Sequence, residues 1–278
     1  MNDFLPAETL ERIGEALERA KDALKPFASG SVEARFKKGN ELVTEADHAV
    51  NNVLHRVLRR DGEGWLSEES VDAPSHLECE NLWIVDPIDG TREFVAGIPE
   101  WCVSIAYVRH GVAIAGGITN PATQETFLGS AGAGFTYQGS DAAPCSRATL
   151  AGATILASRS EVKRGEWELF RDAPFAIRPM GSVAYKLARV AAGLADGTWT
   201  LTPKHEWDVA AGVALVEAGG GFVQTLDFAR PVFNRASALL RGLMASTPKL
   251  KSEMVSFLRP HVVQPPVPVG NSVNGMEA

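Results

Sequence analysis

Leu82-Trp83-Ile84-Val85-Asp86-Pro87-Ile88-Asp89-Gly90-Thr91 passes from an unbroken apolar run straight into two carboxylates, a proline, a glycine and a threonine. Four consecutive apolar residues bounded by turn formers predict a short buried strand that ends at Val85. Carboxylates at the end of a buried strand are costly unless they are paired or hold a metal. No lysine or arginine stands between Asp86 and Thr91, so a metal is the simpler account. All-oxygen ligands suit Mg²⁺, and Mg²⁺ is commonly held together with phosphate. Pro87 fixes its own φ and stiffens the turn. Gly90 lets a ligand approach the backbone closely. Thr91 opens a helical turn through Arg92, Glu93 and Phe94, whose free N–H groups would seat a phosphate. The carbonyl of Ile88, between the two acids, can serve as a third oxygen ligand.

Two further acidic places belong to the same reading. Trp65-Leu66-Ser67 predicts a short strand that delivers Glu68, and Trp207-Asp208 opens a helix. Taken singly, Glu68-Glu69 is a solvated acidic pair and Asp208 a first-turn acid favoured by the helix dipole. Together with Asp86 and Asp89 they supply ligands for two ions and a weaker third. Two ions about 3.5–4 Å apart can activate a water and stabilise a leaving oxygen in an in-line displacement. His205 lies close to Asp208 but is not taken as a ligand.

The 278 residues suffice for one large domain or two closely packed halves. With 45% hydrophobic and 22% charged residues the composition is that of an ordinary globular protein. A net charge of -7 speaks against a partner with a nucleic-acid backbone. A small phosphorylated ligand is compatible with that charge, because bound cations reverse its sign locally. Cys79, Cys102 and Cys145 lack metal-site or disulfide spacing, which fits a reducing, cytoplasmic setting. Met1 to Pro6 has neither the basic start nor the apolar core of a signal peptide, and no apolar run is long enough to span a membrane.

Helical spacing of Leu10, Ile13, Ala16, Leu17, Ala20 and Leu24 predicts an opening amphipathic helix. A basic loop with Arg35, Lys37 and Lys38 follows. Thr44-Glu45-Ala46-Asp47 has the form of a capping box before a second helix with Val50, Val53, Leu54, Val57 and Leu58 inside. Val103–Val108, Val112–Ile118, Thr126–Leu128 and Gly132–Tyr137 read as strands separated by turns such as Arg109-His110-Gly111. Gly139 to Pro144 reads as a loop or a boundary. Beyond it, Thr154–Ala157 and Thr198–Leu201 read as strands, and Ser182–Ala192 and Trp207–Ala218 as helices, the last capped by Gly219-Gly220-Gly221. The expected organisation is an N-terminal α+β half over 1–145, a C-terminal α/β half over 146–259, and a mobile tail over 260–278.

At Trp65-Leu66-Ser67-Glu68-Glu69-Ser70, Trp83 to Thr91 and Trp207-Asp208-Val209-Ala210-Ala211-Gly212 the chain resembles the inositol monophosphatase superfamily of Mg²⁺-dependent, lithium-sensitive phosphatases. Leu42 to Asp47 and the glycines after Glu217-Ala218 match as well, and the resemblance spans about Leu10 to Leu258. It implies a layered αβαβα sandwich and, commonly, a homodimer. It implies that Glu68, Asp86 and the Ile88 carbonyl hold one Mg²⁺, and that Asp86, Asp89 and Asp208 hold a second. Glu68 would touch a third through water. Thr91, oriented by Asp47, would help activate the attacking water, so Asp47, Thr91 and Glu68 are the catalytic candidates. A water near Asp208 would protonate the leaving alkoxide. The backbone N–H groups of Gly90 and Thr91 would bind the phosphate.

For the substrate the signals are mixed. Inositol-hydrolysing members carry an acid seven positions before the aspartate of the Trp-Asp motif, where this chain has Leu201. The stretch Leu201 to Asp208 is more similar to the branch that hydrolyses 3'-phosphoadenosine 5'-phosphate, whereas Arg178-Pro179-Met180-Gly181-Ser182 keeps the inositol-branch spacing. Gly181, Ser182 and Lys204 are carried as substrate contacts. Lys204 or Lys186 could meet a second phosphate, against a plainer reading of each as a solvated lysine. Fructose-1,6-bisphosphate or another sugar phosphate is the alternative substrate. A haloacid-dehalogenase-type loop, Asp-x-Asp-Gly-Thr, would need one residue fewer, and a covalent phosphoenzyme is therefore not expected. An EF-hand fits poorly because the loop lacks alternating acids. A metal-dependent phospholigand-binding protein is the non-enzymatic reading, disfavoured by the presence of both Thr91 and Asp47.

Overall fold

A computed structural model describes residues 6–36, 42–70 and 74–262. Lys37, Lys38 and all of the expected tail beyond Val262 lie outside the described residues. The first helix, α1 (Pro6–Leu24), buries Ile13, Ala16, Leu17, Ala20 and Leu24 along one face, as its spacing requires. A short antiparallel pair, β1 (Ala34–Phe36) and β2 (Leu42–Thr44), leads into α2 (Glu45–Leu58). The capping box forms: Asp47 Oδ2 accepts from Thr44 N at 2.7 Å, and Thr44 Oγ1 accepts from Ala46 N at 3.2 Å.

Among the described residues, seven strands make the first sheet in chain order. They are β3 (Gly64–Ser67), β4 (Asn81–Asp89), β5 (Cys102–Arg109), β6 (Val112–Asn120), β7 (Glu125–Ser130), β8 (Gly134–Tyr137) and β9 (Ser140–Asp141). Only the β3–β4 pair is parallel. His110 and Gly111 join β5 to β6 with φ of 49° and 76°, the doubly left-handed turn that matches strand twist. Part of the expected Gly139–Pro144 loop is thus a strand, β9, paired with β8.

The second sheet holds β10 (Thr154–Ser158), β11 (Ala176–Met180), β12 (Gly197–Thr200), β14 (Phe222–Thr225) and β16 (Leu243–Ser246), in the order β11-β10-β12-β16-β14. A two-residue pair, β13 (Lys204–His205) and β15 (Leu239–Leu240), stands beside it. The helices after α2 are α3 (Thr91–Val95), α4 (Arg159–Lys163), α5 (Val183–Ala191), α6 (Glu206–Ala218) and α7 (Lys251–Leu258). Pro260 and His261, read as the start of a tail, close a 3₁₀ turn after α7.

Gly116 and Gly117 show why the layers stack as αβαβα. Successive strand residues point to opposite faces. A Cβ on Gly116 would lie 2.6 Å from the Ala211 carbonyl of α6, and one on Gly117 would lie 2.2 Å from Ile13 of α1. Each glycine lets a helix settle on its own face of β6. Helix α6 is apolar on every side, as a helix between two sheets must be. Helix α5 lies beside it and is buried from Val183 to Ala188. Phe170, Phe175 and Trp199 meet Met254 and Leu258 of α7 on the far side of the second sheet. Gly219-Gly220-Gly221 ends α6: Gly220 turns left-handed at φ 78°, and Gly221 N donates back to Val216 O at 2.8 Å.

Candidate active site

The strand does not stop where the apolar run does, at Val85. Strand β4 continues through Pro87 to Asp89, and its pairing with β5 slips between Asp86 and Asp89. Asp86 faces Ser104 and Asp89 faces Cys102, so β4 carries one extra residue over this span. In a regular strand residues three apart point to opposite faces. The bulge brings Asp86 and Asp89 to one side, and Pro87, which has no N–H to place in the ladder, sits inside it.

Oxygens of Asp86, Asp89 and Asp208 lie within 4.8 Å of one another. One oxygen of each is held by the chain. Asp86 Oδ1 accepts from Ile88 N at 3.0 Å. Asp89 Oδ2 accepts from Ser182 Oγ and from Ala184 N, both at 2.7 Å. Asp208 Oδ2 accepts from His205 N at 2.9 Å, a second capping box. The other oxygen of each has no hydrogen-bond donor among the described residues. Burial raises the Asp86 carboxyl well above its ordinary range, and the charges of Glu68, Asp89, Asp208 and Asp47 push it further. Burial and then Asp89 raise Asp208 in the same way. Asp89 is also raised by burial, but the Ser182 and Ala184 donors and the charges of Lys186 and Lys204 oppose this. Three clustered acids, each with an unsatisfied oxygen, are a donor set made for a hard cation.

These acids line a cavity of about 210 Å³. Glu68, Ile88, Gly90, Thr91, Gly181, Ser182 and Lys204 share its wall, so every sequence-selected residue but Asp47 meets there. Asp47 is buried behind the wall, with Oδ1 3.5 Å from Thr91 Oγ1. Thr91 Oγ1 is nearer to the Ile88 carbonyl, at 3.0 Å. Gly90 sits at φ 96°, and a Cβ there would lie 3.0 Å from the Glu100 carbonyl, so the turn itself demands glycine.

Residues 7–261 match the sequence profile of the inositol monophosphatase family. The chain belongs to the inositol monophosphatase family. It is accordingly a metal-dependent phosphoric monoester hydrolase. An inositol-1-monophosphatase of Mesorhizobium japonicum is 33% identical over 218 residues, covering 75% of this chain and 81% of its own. A fructose-1,6-bisphosphatase/inositol-1-monophosphatase of Thermotoga maritima is 31% identical over 228 residues, covering 78% and 82%. A solved Thermotoga maritima IMPase superposes with a TM-score of 0.78 at 27% identity, over 92% of this chain and 98% of that one.

Some local readings of this phosphatase change with its structure. Lys186 is not solvated. It is 1% exposed, and its Nζ donates to the carbonyls of Met180, Gly181 and Ser182 at 3.3, 3.4 and 3.0 Å. Burial pulls its pKa down to about 8. Lys204 is also largely covered, with Nζ 3.1 Å from Thr202 Oγ1 and 3.8 Å from Glu161. Glu69 is no surface acid, since its side chain is 2% exposed and lies 3.6 Å from His48. The hydroxyl of Ser182 is committed to Asp89, at a residue whose φ of 46° is rare for serine.

Sequence reasoning passed over Glu93, Arg159 and Ser160, which also line the cavity. Arg159 and Ser160 follow the C-terminal end of β10, where open α/β sheets place ligands. Glu161 was missed too. It is wholly buried and takes the amides of Leu201 and Thr202, the Thr202 hydroxyl at 2.8 Å and Trp167 Nε1 at 3.0 Å. It thereby fixes the loop that brings Lys204 to the cavity.

Proposed function

We propose that this phosphatase is Mg²⁺-dependent and hydrolyses a small phosphorylated metabolite, inositol-1-phosphate or 3'-phosphoadenosine 5'-phosphate, by direct attack of water. One observation carries the reading: Asp86, Asp89 and Asp208 each present an oxygen without a protein donor in one cavity. Glu68, Asp86 and the Ile88 carbonyl would hold one ion, and Asp86, Asp89 and Asp208 a second. When bound, the ions supply the positive charge that lets a phosphate dianion approach these acids and that lowers the pKa of water. The chain's own groups do the rest. The amides of Gly90 and Thr91, at the start of α3, would receive phosphate oxygens. Thr91 Oγ1 can accept a proton from the attacking water while donating its own towards Asp47, whose Oδ2 is already fixed by Thr44. Lys204 balances the negative cavity near Asp208.

Thr91→Ala should therefore lower kcat by on the order of a hundredfold, the usual worth of a positioned proton acceptor. Mg²⁺ affinity should change far less, because no side-chain ligand is lost. An unchanged kcat would remove Thr91 from the reaction.

The direct test is phosphate release, with and without Mg²⁺, from inositol-1-phosphate, 3'-phosphoadenosine 5'-phosphate and fructose-1,6-bisphosphate. The expected result is Mg²⁺-dependent turnover of one of the first two above the third, with inhibition by lithium. The bisphosphate of fructose is included because the Thermotoga relative carries that activity in its name. No release from any of the three would defeat the reading.

A further inference from the structure

We propose that Glu93 determines specificity by accepting a hydrogen bond from a hydroxyl group on the alcohol portion of the substrate. The inference rests on the phosphatase reading above and adds the kind of ester the cavity selects. Glu93 lies on α3, which follows Asp89 after the left-handed turn at Gly90, and lines the same cavity. Among the described residues its carboxylate has no side-chain hydrogen bond or ion pair. Burial and, less, the charge of Asp89 act against its ionised form, while its own backbone N–H acts for it. The nearby cations are engaged elsewhere: Lys186 with three carbonyls, and Arg159 with Glu100 at 2.5 Å. A carboxylate kept in a partly dry cavity with no partner but its own backbone N–H is under-satisfied, and a ligand donor would remove that cost.

The cavity wall is shaped around this side chain. A Cβ on Gly181 would lie 2.5 Å from Glu93 Cγ and 2.6 Å from Cδ, so the side chain rests against a bare α-carbon. Position 201 cannot serve instead. Leu201 packs with the apolar cluster around Trp199 and Phe170, does not line the cavity, and has its amide tied to Glu161. Glu93 thus offers an acceptor from the α3 side where position 201 has none. An ionised carboxylate only accepts. It repels the phosphate and selects for a donor on the alcohol.

The experiment compares hydroxyl-bearing esters (inositol-1-phosphate, glycerol-2-phosphate and adenosine 2'-monophosphate) with phenyl phosphate, which carries no donor beyond its phosphate. Wild type, Glu93→Ala and Glu93→Gln are assayed with saturating Mg²⁺. Glutamine keeps the volume against Gly181 and guards against a folding defect, which thermal melts check. Deleting a charged hydrogen-bond acceptor should cost Glu93→Ala about 10- to 100-fold in kcat/KM on the hydroxyl-bearing esters. Glu93→Gln should lose about fivefold. Both should stay within about twofold of wild type on phenyl phosphate. Parallel losses on all esters, or no loss on any, would overturn the proposal. So would a wild type that prefers phenyl phosphate. A wild type silent on every ester would instead sink the phosphatase reading, and this inference with it.

Discussion

Replacing Asp89 with asparagine should reduce phosphate release by at least about a hundred- to a thousandfold, the range for losing one charged group that acts on the transition state, while the protein stays folded. The structure gives the reason in atoms. Asp89 Oδ2 is gripped by two donors, Ser182 Oγ and Ala184 N. An asparagine would keep its carbonyl oxygen on those donors, because its NH₂ group cannot accept from them. The NH₂ would then face the unsatisfied oxygens of Asp86 and Asp208. A ligand would have become a donor that holds no cation and occupies the place of one. The same change removes one of three clustered negative charges, so the metal-free variant should melt no lower than metal-free wild type. Turnover within about tenfold of wild type would contradict the metal assignment. A lower melting point without metal would contradict the grip of Ser182 and Ala184 on Asp89.

That grip also marks what the amino-acid sequence could and could not disclose. The acids at 86, 89 and 208 were legible because the signal is local: carboxylates beside an apolar strand or at a helix start. The capping box at Thr44 was legible for the same reason. The bulge that turns Asp86 and Asp89 to one side was not, because it exists only as a register against β5. Ser182 lies 93 residues from Asp89, and its hydrogen bond depends on how α5 meets the first sheet. Lys186 was misread through its residue type. Its helix is packed in by the fold on nearly every side, and a lysine on such a helix is buried with it. Strand β11 escaped notice because it is an exposed edge interrupted by Arg178 and Pro179, a place where sheets tolerate proline. Glu161 resembled any surface acid in a charged stretch. Its importance comes from the backbone amides of a loop 40 residues away.

Removing the metal should abolish turnover and also make the contribution of the acid cluster to stability depend on pH in one direction. Asp86 and Asp208 stand well above the ordinary carboxylate range in the metal-free fold, chiefly through burial and then through neighbouring acids. In the unfolded chain they return to about 4. Between those limits the native state binds more protons than the unfolded state, so lowering the pH favours the native state. This contribution is complete below the unfolded pKa and is lost as pH rises through the raised folded values. Glu206, lifted to about 7 by burial, adds to the trend with or without metal. Metal replaces protons at Asp86 and Asp208 and should flatten their share of the dependence. The melting temperature of chelator-treated protein should therefore climb by a few degrees as pH falls from about 8 to about 6, still above the ordinary carboxylate range. The stabilisation conferred by Mg²⁺ should shrink over the same range, because protons and metal compete for the same oxygens. Differential scanning calorimetry with and without Mg²⁺ reads both quantities. A stabilisation by Mg²⁺ that grows on acidification would mean that the ion binds somewhere other than Asp86, Asp89 and Asp208.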